Sequence, residues 1–173
     1  MAFQDVSRRA WRRAACILAA AACLGACTPE YNWRELEVAG GRARAAFPAR
    51  VQIEQRPVVL EGRELSFTLT AARVGEAVYA VGYAQVPADP ALQERLRRAL
   101  VESLYANMGV PPPGGAPEGD IEIRAEVGGR PTLLMGRVRV YGDALVEAVA
   151  AGPADELPPE RASEFLRSLT PSR

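Results

Sequence analysis

Histidine and lysine are both absent from this 173-residue chain, so all 21 of its basic residues are arginines. Without imidazole there can be no Ser-His-Asp triad, no Cys-His pair and no histidine metal ligand. Ser66, Ser103, Ser163, Ser168 and Ser172 consequently lack an obvious activating base. Cysteine is nearly missing as well: Cys16, Cys23 and Cys27 all lie at the amino-terminal end. A chain cut before Cys27 and modified there keeps no free thiol for a disulfide or a Cys/His zinc site. Neither sign of charge dominates, with 21 basic and 21 acidic residues, and nothing marks a nucleic-acid partner. GxSxG, P-loop, GxGxxG-after-strand and EF-hand patterns are all missing, so no cofactor or metal is implied. The richness in alanine, arginine, glycine and proline reads as genome composition rather than function. Long hydrophobic runs are lacking too. The stretch "AACILAAAACL", Ala14 to Leu24, is too short to span a bilayer as a helix.

That stretch does suit the core of a secretory signal. Arg8, Arg9, Arg12 and Arg13 precede it, and "LGAC" closes it. An aliphatic residue, two small residues and a cysteine form a lipobox. Leu24, Gly25 and Ala26 would be read by the signal peptidase, and Cys27 would receive the lipid. Two or three acyl chains, at about 0.8 kcal/mol per buried CH2, give durable anchoring where one gives marginal binding. Thr28 follows the cysteine in place of the aspartate that retains many lipoproteins in the inner membrane, which points to the outer membrane, facing the periplasm. "SRRAWR" resembles the twin-arginine export motif, but a basic leader explains the pair, and general secretion is expected. Removal of residues 1–26 leaves 17 arginines against 20 acids, a net charge near −3, which gives no reason for attraction to anionic lipid.

Residues 27–44 show no clean period and read as a tether, with a single α+β domain expected over 45–173. Glu61-Gly62 and Gly75-Glu76 are turn signals, and between them Leu65, Phe67, Leu69 and Ala71 alternate with Glu64, Ser66, Thr68 and Thr70 as in a strand with one buried face and one wet face. Ala77 to Val86 is apolar on both faces and fits a central strand. Asp89-Pro90 supplies an N-cap and a first-turn proline. Leu92, Leu96, Leu100, Leu104 and Met108 then form a stripe that Gly109 terminates. Gly109 to Gly119 is a Pro/Gly linker. Beyond it, Gly128-Gly129 and Gly142-Asp143 are hairpin turns, and "PPERASEFLRSL" is a short helix with Ala162, Phe165, Leu166 and Leu169 on one face. The segments Arg73 to Pro87 and Arg139 to Pro153 look alike and suggest a repeat of strands followed by a helix. The sum is an antiparallel sheet with a long and a short helix packed on it.

The run "AAFP", the strand cluster, the long helix, the hairpin cluster and the closing "EFLRSL" together resemble uncharacterised proteobacterial outer-membrane lipoproteins. More distantly, the order resembles the PsbP/Mog1-like α+β domain. The resemblance spans about Ala45 to Leu169. It implies an accessory or interaction module without enzymatic activity and brings no catalytic motif.

Two sets of residues are candidates for a site. Tyr79 and Tyr83 share one strand face, and Arg137, Arg139 and Tyr141 share another. On neighbouring strands they would form a patch for an acidic or ring-bearing ligand; alternatively, Arg139 pairs with Glu147 across a hairpin and the tyrosines cover the sheet. Glu122, Glu126 and Glu147 read as wet strand faces. The leading expectation is a lipid-anchored, non-enzymatic module, held to the membrane through Cys27, that binds an envelope protein or cell-wall component. The next is a carrier of a small lipophilic or aromatic ligand between the sheet and the Asp89–Met108 helix. A carboxylate-dependent glycan hydrolase is third.

Overall fold

The folded unit of the computed structural model runs from Tyr31 to the carboxyl-terminal end, and residues 30–115 and 117–172 are described. The leader, Leu24, Gly25, Ala26, Cys27 and Thr28 lie outside the described residues. The unit opens with β1 (Arg34–Val38) and β2 (Ala43–Phe47), paired antiparallel, to which the short β9 (Thr170–Pro171) adds. Residues expected to be a tether are therefore built into the fold. Their signal is short: in β1, Leu36 and Val38 turn inward while Glu35 and Glu37 stay exposed, and only two such alternations fit into five residues.

The main sheet has six antiparallel strands: β3 (Val51–Leu60), β4 (Arg63–Val74), β5 (Ala77–Gln85), β6 (Ile121–Val127), β7 (Arg130–Tyr141) and β8 (Ala144–Pro153). Their spatial order is β3-β4-β5-β8-β7-β6. Each expected turn joins a hairpin. Glu61 and Gly62 both take positive φ, as a two-residue turn matched to strand twist requires. Helix α1 (Pro90–Asn107) starts at Asp89, whose carboxylate accepts from the amides of Ala91 and Leu92. Helix α2 (Pro159–Ser168) closes the chain before β9.

The sheet is covered on both faces. Against one face α1 buries Leu92, Leu96, Leu100, Val101 and Leu104 over Phe67, Ile121, Ile123, Leu134, Val138 and Leu145. Against the other lie α2 and the β1–β2 layer, around Phe47, Tyr79, Val81, Leu133, Val146 and Phe165. Each large aliphatic side chain removed from water contributes about 1.5–3 kcal/mol before entropy. Both cores close within the unit that begins at Tyr31, so that unit is self-sufficient. The β4 face expected to be wet stays exposed at Glu64 and Ser66 but is covered toward its far end, where Thr70 is buried. Strand order is symmetric about the β5–β8 junction, but α1 and α2 occupy opposite faces. The apparent repeat therefore does not extend to packing. The linker 109–119 carries no helix or strand among its described residues. Arg97 and Arg139 hold it by donating to the carbonyls of Pro117 and Glu118.

Candidate functional site beneath the long helix

Tyr79, Tyr83, Arg137, Arg139 and Tyr141 share the α2-facing side of the sheet, but β8 separates the tyrosines of β5 from the arginines of β7. Val146 stands between Tyr83 and Arg139 in register. Tyr79 is fully buried, its ring edge-on to Phe165 with centroids 5.5 Å apart and to Trp33 at 6.2 Å. Tyr83 lies against the turn at Gly40. Arg137 clasps Asp120 with two donors and also donates to the Leu166 carbonyl at 2.8 Å. That clasp holds the Asp120 carboxyl below its usual range. Arg139 donates to the Glu118 and Val138 carbonyls. Burial pushes the half-buried Tyr141 hydroxyl up, while the nearby arginines pull it down. These side chains tie β7 to the linker and to α2; they do not form one open patch.

The pairing of Arg139 with Glu147 is not formed. Glu147 is in register with Val138, so Arg139 and Glu147 point to opposite faces. Nor does Glu147 line a wet face, although Glu122 and Glu126 do. It projects toward α1, only 9% exposed, into the largely apolar layer between sheet and helix.

A cavity of about 370 Å³ occupies that layer. Strand β3 gives it Arg56, Val58 and Leu60; β4 gives Phe67 and Leu69; and β5, β7 and β8 give Ala80, Leu134, Glu147 and Val149. Helix α1 roofs it with Leu100, Ser103, Leu104 and Asn107. A glycine makes room for the Glu147 side chain. Gly82 is paired with Glu147 across β5 and β8, and a Cβ at Gly82 would lie 2.8 Å from Glu147 Oε1 and 3.3 Å from Phe67 Cδ1. Among the described residues no donor is hydrogen-bonded to the Glu147 carboxyl, and Arg56 is the one charge that bears on it. Burial raises the carboxyl to about 7, against a smaller pull downward from Arg56. The volume and the largely apolar lining, with Arg56, Ser103, Asn107 and Glu147 as its polar groups, match small-ligand pockets.

The sequence held a signal for Glu147. It is the sole charge in "ALVEAVAAG", a run apolar on both faces, and a charge inside such a strand has no wet side to choose. Elsewhere among the described residues, no three Asp, Glu, His or Cys side chains gather as a metal site would need. No helix among them is long and apolar enough to cross a membrane. Comparison with protein-family models, curated proteins and solved structures finds no match to this chain.

Proposed function

We propose that this chain is a lipid-anchored envelope protein whose folded domain carries a small lipophilic or aromatic ligand between its main sheet and α1, without acting on it chemically. The observation that carries the reading is the cavity of about 370 Å³ with a nine-tenths buried Glu147 in its wall. Its size lies within the range of roughly 300–1,000 Å³ usual for ligand pockets. Hydrolysis by paired carboxylates takes two acids, and one lines this cavity.

The lipobox at Leu24 to Cys27 supports attachment to a membrane, and Thr28 supports the outer membrane, facing the periplasm. Because the fold begins at Tyr31, an anchor at Cys27 leaves four steps of chain, at most about 14 Å. The domain would then ride close to the lipid surface rather than on a long tether. Replacing Cys27 by Ser should leave an unprocessed, unlipidated precursor; normal cutting and release of that variant would overturn the anchor.

For the cavity, native mass spectrometry of residues 28–173 as purified should detect a non-covalent adduct that Val149→Phe, which fills the cavity, abolishes. A bare mass for both proteins counts against the carrier. A second reading, a protein-binding module, draws on β3. This ten-residue strand pairs on one side alone and leaves Ile53 69% and Val59 67% exposed. Strand addition at such an edge is a recurrent mode of partner binding. Ile53→Lys should abolish it without touching the cavity; a partner retained by that variant would exclude the edge.

A further inference from the structure

A carboxylate buried without a counter-charge in contact is an unfinished arrangement, because a charge removed from water needs a partner to offset its lost hydration. Glu147 is in that condition. Among the described residues no basic group lies within 4.0 Å of it, whereas Arg137, Arg42 and Arg97 each have an acid in contact. Arg56, the charge that does bear on it, stands on exposed β3, with β4 and β5 between that strand and β8. The other elements packed around the carboxyl add none. From α1 come Leu100, Ser103, Leu104 and Asn107, and the Ser103 hydroxyl is already donated to the Leu100 carbonyl at 2.7 Å. The surrounding strands bring Phe67, Leu69 and Leu134. The Glu147 side chain takes the place that a side chain at Gly82 would fill, with the Phe67 ring beside it, and Phe67 and Glu147 both line the cavity.

From this geometry we infer that the ligand is a small cationic amphiphile: a protonated amine head received by the Glu147 carboxylate, and an apolar body lying under α1. The inference rests on the carrier reading above and specifies the class of ligand. An amine within hydrogen-bond distance would provide the charge-assisted partner that no protein group provides. Its neighbour Phe67 offers a ring edge or face to the same cation. The cavity has room for about a dozen non-hydrogen atoms at roughly 30 Å³ each, which fits an alkyl chain of about ten carbons. A carboxylate-headed amphiphile would meet Glu147 as a like charge at the floor and could reach only Arg56 at the rim.

The test uses three probes that share a decyl chain, namely decylamine, decanol and decanoate, titrated into residues 28–173 by calorimetry below their aggregation limits. At pH 8.5 decylamine should bind at least tenfold more tightly than decanol, and decanoate more weakly than either. At pH 5.5, where Glu147 holds its proton, the preference of amine over alcohol should shrink to less than threefold. The amine stays protonated throughout, its pKa being near that of lysine, about 10.4. Glu147→Gln should lose the amine preference at pH 8.5 while keeping its affinity for decanol, which also demonstrates that the variant is folded. Decanol and decylamine binding equally at pH 8.5 overturns the cationic head and leaves the carrier standing. Failure of all three probes overturns both. Tightest binding of decanoate assigns the head to Arg56 and overturns the inference.

Discussion

Replacing Glu147 by Gln should remove a pH dependence of stability that the wild-type fold carries. In the folded chain the Glu147 carboxyl sits at about 7, against an ordinary 4.5, because burial penalises its charge more than Arg56 favours it. The folded state thus holds the proton more tightly than the unfolded chain. Below pH 4.5 both states are protonated, and Glu147 costs nothing. Between pH 4.5 and 7 unfolding releases a proton, so stability falls by about 1.4 kcal/mol per pH unit as pH rises. Above pH 7 the loss levels off at roughly 3 kcal/mol. Asp120, Glu94 and Asp143 work the other way. Arginine partners hold each of them below its ordinary value, so their contributions are lost as pH falls into the acid range. Those contributions cancel in the difference between wild type and Glu147→Gln. Urea unfolding followed by circular dichroism, at half-unit steps from pH 4.5 to 8.5, measures that difference. The variant should gain about 3 kcal/mol on wild type across the range. A difference flat to within about 0.5 kcal/mol would mean that the carboxyl is solvated, and the buried-acid reasoning would fail.

Gly82→Ala puts a methyl 3.1 Å from Glu147 Cγ as well as against its carboxylate. It should cost about 1–3 kcal/mol, and less in a Glu147→Ala background, as a double-mutant cycle in urea would measure. Tyr79→Ala removes the ring that Phe165, Trp33 and Tyr31 enclose; a loss of about 3–5 kcal/mol is expected in thermal unfolding. Arg137→Met breaks the clasp on Asp120 and on the end of α2. It should lower stability by about 1–3 kcal/mol and speed proteolysis within residues 109–119.

The helices were plain in the sequence because their signals were local and redundant. For α1, an Asp-Pro start, a four-residue leucine spacing and a closing glycine all agreed, and the structure has the helix at Pro90–Asn107. The hairpins were equally plain, since each turn carries a glycine where φ must be positive, as at Glu61-Gly62 and Gly128-Gly129. What escaped depended on distant partners. β1 becomes a strand because β2 pairs with it and α2 packs against β2, and neither fact is visible in "RELEV". Strand order decided the fate of the tyrosine–arginine patch. Inserting β8 between β5 and β7 separates residues whose alternation had matched. Faces decided the rest. The two-residue turn at Gly142-Asp143 pairs Tyr141 with Ala144 and so sets Arg139 opposite Val146, with Glu147 turned to the other side. The cavity could not be read from pattern at all. Its walls come from Arg56, Phe67, Leu134 and Glu147 on four separate strands and from Leu100 and Leu104 on a helix.

Methyl-labelled NMR of residues 28–173 with bound decylamine tests most directly whether a ligand lies between the sheet and α1. Intermolecular contacts should appear from the chain to the methyls of Leu60, Leu69, Leu100, Leu104, Leu134 and Val149, all of which line the cavity. None should reach Leu157, Leu166 or Leu169, which belong to the core on the opposite face. Contacts confined to that second set, or to the exposed methyls of Ile53, would contradict the assignment of the cavity as the ligand site.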